Sequence, residues 1–258
     1  MAKNTLIGIY GTARKVRKIY IGVNGTARKA KKGYIGINGV ARLFYSGDPV
    51  LIFEQSAAGT YSLALAPGKY EITLIGGGGG ASGRRSTAVN NHHYAQGGVG
   101  GTLQFTANLT SSATVQIVVG AGGTTNTGTF SSASGGTVSG TAGGATSITG
   151  FPNLTASAGG GTAASTRATS TSACTRTVGT IGKNTLSGSA VIATSIDNPN
   201  ACVSSQSTST STQRTPTGRV NDNWPEDNTR GKSGDSGWNG NNFISMVGAT
   251  GFVRIKML

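Results

Sequence analysis

Five consecutive glycines, Gly76 to Gly80, follow directly on an alternating apolar run, and no other feature restricts the possible folds so tightly. Tyr70, Ile72 and Leu74 recur with period two, the pattern of a strand with one buried face. Such a strand ordinarily leaves through a turn. Here it leaves into chain that has no side chains to bury and that costs the most backbone entropy to order. The compensation open to such a segment is close approach of backbone to backbone, which only a residue without Cβ permits. The same grammar recurs at 97–101, 120–123, 135–136, 143–144 and 159–161. The recurrence predicts glycine segments packed on one another, with Gly76, Gly77, Gly78, Gly79, Gly80, Gly120, Gly122 and Gly123 as structural residues.

Composition narrows the class. Glycine supplies 43 of 258 residues without a G-X-Y period, which excludes a collagen triple helix. Charged residues are only 12%, low for a globular chain, and Ser, Thr, Asn and Gly take their place. That exchange suits an all-β protein facing the exterior. No apolar run reaches the length of a membrane-spanning helix. The opening residues MAKNTLIGIYG lack the apolar core of a signal peptide. A protein of this kind acting outside a cell is expected to leave by lysis or by a dedicated export machine. Cys174 and Cys202 form no CxxC pair. One disulfide and two free thiols are both compatible with the sequence.

The first 46 residues form a separate region. A repeat of period 14 runs Ile7-Gly8-Ile9-Tyr10-Gly11-Thr12-Ala13-Arg14, then Ile21-Gly22-Val23-Asn24-Gly25-Thr26-Ala27-Arg28, then Ile35-Gly36-Ile37-Asn38-Gly39-Val40-Ala41-Arg42. Asn-Gly between β-compatible arms is a strong hairpin signal, because both positions tolerate positive φ. Three small hairpins are therefore expected, with basic turns at Arg17-Lys18 and Lys31-Lys32-Gly33. Hairpins this short do not stand alone, so they are expected to pair with other subunits or to lie on another protein. Of the formal net charge of +14, residues 1–45 hold ten Lys and Arg and no acid. Arg14, Lys15, Arg17, Lys18, Arg28, Lys29, Lys31 and Lys32 are the candidate docking residues for an acidic partner surface. Two other uses of that charge are solubilising edge strands and binding nucleic acid, though no nucleic-acid motif is present.

Gly47-Asp48-Pro49 marks a boundary, and 47–258 reads as a second domain. Strands are expected at 50–54, 59–65 and 69–75, as antiparallel members of one sheet, and at 101–107 and 113–119. The alternating run 251–257 should return to that first sheet, beside 69–75. The polar stretch 81–96 carries Arg84, Arg85, His92, His93 and Tyr94, and 162–247 reads as a long polar insertion. No GxSxG, HExxH or P-loop lysine is present, so neither an enzyme nor a cofactor is expected. His92 and His93 would fall on opposite faces of a strand, which argues against a shared metal. Asp222, Glu226 and Asp227 surround Trp224, but with Pro225 and several Asn they read as a loop. Tyr94, Trp224 and Trp238 stand in polar surroundings. Aromatics so placed either stack on sugar or protein surfaces, or close a small satellite cluster.

Ala58 to Gly80, reading AGTYSLALAPGKYEITLIGGGGG, resembles the opening of the glycine-rich domains of bacteriophage tail proteins and tail-fibre adhesins. Val115 to Gly123, VQIVVGAGG, is similar to the second signature of those domains. The period-14 repeat resembles N-terminal segments of structural proteins in phages of Gram-positive bacteria. The resemblance covers much of 1–161 and the last eight residues. It implies polyproline-II-like glycine rods packed beside a β-sandwich, with loops at the tip touching the host surface. The expected protein is then a tail-associated virion component on the particle exterior, assembled in the host cytoplasm. It would contact other virion proteins and a host-surface glycan or protein, as a homo-oligomer, with a trimer one option. The alternative is a head or tail decoration or fibre protein that binds no receptor.

Overall fold

The computed structural model describes residues 6–9, 12–15, 20–23, 26–29, 32–37, 40–46, 49–85, 92–125, 136–168, 174–177, 179–197, 231–234, 236–239, 242–245 and 247–258. These are all β, with no helix and several antiparallel sheets. No helix among them is long and apolar enough to cross a membrane. Near the N-terminus lie β1 (Leu6–Ile9), β2 (Thr12–Lys15), β3 (Tyr20–Val23), β4 (Thr26–Lys29), β5 (Lys32–Ile37) and β6 (Val40–Ser46). They pair as β1 with β2, β3 with β4 and β5 with β6, and among the described residues none joins another sheet. The registers correspond: Ile7 faces Arg14, Ile21 faces Arg28 and Ile35 faces Arg42. Lys32 opens β5 opposite Ser46 and does not belong to a turn. Arg17, Lys18 and Lys31 lie outside the described residues.

The remaining strands are β7 (Val50–Gln55), β8 (Gly59–Leu65), β9 (Gly68–Ile75), β10 (Ser82–Arg85), β11 (His92–Ala95), β12 (Thr102–Leu109), β13 (Ala113–Val119), β14 (Gly136–Val138), β15 (Thr146–Thr149) and β16 (Thr155–Ala158). They continue with β17 (Ser165–Ala168), β18 (Cys174–Thr177), β19 (Thr185–Ser187), β20 (Val191–Asp197), β21 (Ser236–Asn239), β22 (Asn242–Ser245) and β23 (Phe252–Met257). Two five-stranded sheets result, ordered β20-β12-β9-β23-β7 and β19-β16-β15-β13-β8. The closing strand β23 lies between β9 and β7. Strand β8, however, does not share a sheet with β7 and β9. It pairs with β13 in the other sheet. Period-two alternation specifies which face a strand buries and leaves its pairing partner open. Here the short connections at 56–58 and 66–67 carry the chain across to one sheet and back.

One apolar core takes side chains from both sheets. Tyr70, Ile72 and Leu74 of β9, Leu103 and Phe105 of β12, and Ile255 of β23 meet Val115 and Ile117 of β13 and Ile148 of β15. On the other face of the first sheet, Arg254 pairs with Glu54 and Lys256 with Glu71. Each is an exposed or half-buried pair of small net value.

Tyr70 carries the one polar group among those large core side chains. Its hydroxyl donates to Ala66 O at 2.6 Å, and its ring stands edge-on to Phe151. Burial pushes its pKa above the ordinary tyrosine value. The folded state therefore holds this proton more tightly than the unfolded state. The stabilisation is fully present below the unfolded pKa of about 10 and is lost as pH rises through the higher folded pKa. Replacing Tyr70 by Phe should cost about 1 kcal/mol near neutrality, from the lost hydrogen bond. It should also flatten the alkaline fall in melting temperature above about pH 10. An unchanged alkaline slope in Tyr70→Phe would assign that fall to other groups.

Candidate recognition surface

The glycine segments form a lattice centred on 76–80. Gly76 N–H donates to Gly101 O, Gly77 to Gly144, Gly78 to Ala249, Gly79 to Gly98 and Gly80 to Thr141, at 2.8 to 2.9 Å. The receiving segment recurs every third residue. The central carbonyls follow the same rule, with Gly77 O accepting from Gly161, Gly78 O from Gly123, Gly79 O from Gly234 and Gly80 O from Ala164. Three neighbours thus accept the central N–H groups, and three others donate N–H groups to the central carbonyls. Those neighbours close into a ring. In turn, Gly98 bonds Thr162, Gly143 bonds Gly161, Gly144 bonds Ala121, Gly248 bonds Gly123, Ala249 bonds Lys232 and Gly97 bonds Gly234. A further segment, 179–184, lies outside the ring against 96–101, through Gly179 to Gln96 O and Gly182 to Val99 O.

This geometry explains where glycine is obligatory. The central segment has neighbours on every side, so each of Gly76, Gly77, Gly78, Gly79 and Gly80 is buried. A Cβ added at any of them would lie under 3.0 Å from a neighbour's backbone carbonyl, a separation real Cβ atoms essentially never show. Gly120, Gly122 and Gly123 meet the same obstruction from Gly144, Gly248 and Thr141. Ring segments face outward once per repeat, and there Ala121, Thr124, Thr141 and Thr162 are exposed.

The lattice also fixes what lies at each end. The chain leaves β9 through 76–80 into β10 and returns from β11 through 97–101 into β12. It repeats this traverse from β16 into β17, from β18 into β19, and from β22 into β23. The two five-stranded sheets therefore stand at one end, and the hairpins β10-β11, β17-β18 and β21-β22, with β14, stand at the other. The backbones of these hairpins approach one another there: β10 and β11 lie against β17 and β21, and β11 lies against β18. They form a cap. Val50 pairs with Met257, so the chain enters this domain at the end of β23 remote from the lattice.

Two of the sequence-predicted aromatics come together in this cap. Tyr94 sits on β11 opposite Gly83, and Trp238 sits on β21 opposite Phe243, on hairpins that approach each other. His92 and His93 take successive positions opposite Arg85 and Arg84. Trp224 and Cys202 lie outside the described residues, while Cys174 faces Ala168 on the β17-β18 hairpin. Among the described residues no group of three His, Cys, Asp or Glu converges on a metal-sized site. Arg167 and Arg176 were not singled out from sequence, yet β17-β18 brings them to the same end as Arg84 and Arg85. Their signal was an arginine in each of two short Thr-rich stretches, the second bounded by the Gly179 and Gly182 spacing. A scan against protein-family models gave no match, and a search among curated proteins found no relative.

Proposed function

We propose that this chain is a tail-associated virion protein of a tailed bacteriophage, carried on the particle exterior. Its basic N-terminal repeats dock on other virion proteins, and its cap recognises the host surface. The observation that carries this reading is that the chain enters the glycine-rich domain at the end remote from the cap. A chain that must hold a particle and reach a cell needs such a polarity. The two sheets packing through a shared core make a β-sandwich in this reading, and the three-residue repeat of hydrogen-bond partners makes the glycine segments polyproline-II-like. Such a lattice pre-orders the cap, so binding need not supply that ordering entropy.

Purified full-length chain should bind the bacterium on which the particle grows, and the Tyr94→Ala, Trp238→Ala double variant should bind at least about tenfold more weakly. Wild-type chain that is incorporated into particles yet binds no host cells would replace this reading by a decoration role.

A further inference from the structure

The strands at the two ends of the glycine lattice differ in charge. The sheet strands carry Glu54, Glu71 and Asp197 against Lys69, Arg254 and Lys256, an even balance. The cap strands carry Arg84, Arg85, Arg167 and Arg176, with no Asp, Glu or Lys. These arginines come from two hairpins about eighty residues apart in sequence, and β10 and β11 approach β17 and β18, with Arg84 and Arg85 on alternate faces of β10 and Arg167 and Arg176 on alternate faces of their hairpin. Tyr94, Trp238 and Phe243 occupy register positions on other strands of the same cap.

The geometry points to a polyanionic glycan as the ligand of the cap. This deepens the host-recognition reading and rests on it. Guanidinium groups match carboxylate and phosphate in a two-point fork that lysine does not offer. Aromatic rings offer flat faces to sugar rings at low entropic cost. A basic cluster spread over separate hairpins suits a polymer with one anion per repeat better than a single small ion. The shared chemistry is an anionic sugar polymer, whose charge is either a carboxylate or a phosphodiester.

Retention of the full-length chain on immobilised polymers tests this. Polygalacturonate supplies carboxylates on sugar rings, a phosphomannan supplies phosphodiesters between sugar rings, and dextran is the neutral control. Wild type should be retained on one or both polyanions, released by raised salt, and not held on dextran. Two double variants, Arg84→Gln with Arg85→Gln and Arg167→Gln with Arg176→Gln, should each lower retention at least about tenfold. Their melting temperatures should stay at the wild-type value. A third variant, with Arg14, Lys15, Arg28 and Lys29 changed to Gln, removes basic charge outside the cap and should lower retention less than either cap variant does. Loss of retention in that third variant alone would move the anion site to the N-terminal repeats and overturn the inference. So would equal retention on dextran, absence of retention on both polyanions, or equally cap-dependent retention on single-stranded DNA. Host-cell binding that survives both cap variants would also overturn it, while leaving host recognition standing.

Discussion

Gly78→Val should leave no folded chain. Gly78 donates to Ala249 O and accepts from Gly123, while a Cβ there would run into Lys232 O and Gly231 O. Those carbonyls are backbone and cannot rotate aside. Making room would push the 231–234 segment off the centre and break the bonds that tie Ala249 to Lys232 and Gly234 to Gly79. Each buried backbone group left unpaired costs about 1–3 kcal/mol, and several would be lost together. The sum reaches the roughly 5–15 kcal/mol that holds a whole domain. Ala121→Ser is the matching control, because Ala121 is exposed on the ring's outer side. Thermal unfolding followed by circular dichroism should show no cooperative transition for Gly78→Val and a wild-type transition for Ala121→Ser. A Gly78→Val protein melting at the wild-type temperature would refute the packed lattice.

Much of the all-β character was legible, because Tyr70, Ile72 and Leu74 and Val115, Ile117 and Val119 alternate with the two-residue period of the pleat. The central role of 76–80 was legible only in part. Five glycines announce close packing, but the sequence does not say what packs. The ring explains the difference in density. A fully surrounded segment needs glycine at every position, whereas an outer segment needs it only where it faces inward. Segments 179–184 and 231–234 are outer segments, with glycines at Gly179 and Gly182 and at Gly231 and Gly234. At that dilution they read as polar insertion, although the spacing of three was present. The sheet exchange of β8 was hidden for a different reason: alternation has no memory of the neighbouring strand. The cap was hidden because its hairpins meet only after long excursions, so no local window contains both Arg84 and Arg176.

The separation of docking from recognition is the central claim, and charge reversal at the N-terminal repeats tests it most directly. Arg14 and Arg28 stand opposite Ile7 and Ile21, and Lys15 and Lys29 opposite Leu6 and Tyr20. Equivalent registers would present the same basic pattern in successive hairpins to one repeated acidic surface. Such matched contacts gain by acting together, and a like charge placed against the partner is repelled. The measurement is the amount of full-length chain in purified particles when Arg14, Lys15, Arg28 and Lys29 are all changed to Glu. The variant should fall below about a tenth of the wild-type amount, while the same purified variant binds host cells as wild type does. Incorporation at the wild-type level, or joint loss of incorporation and cell binding in a folded protein, would contradict a molecule with separate docking and recognition ends.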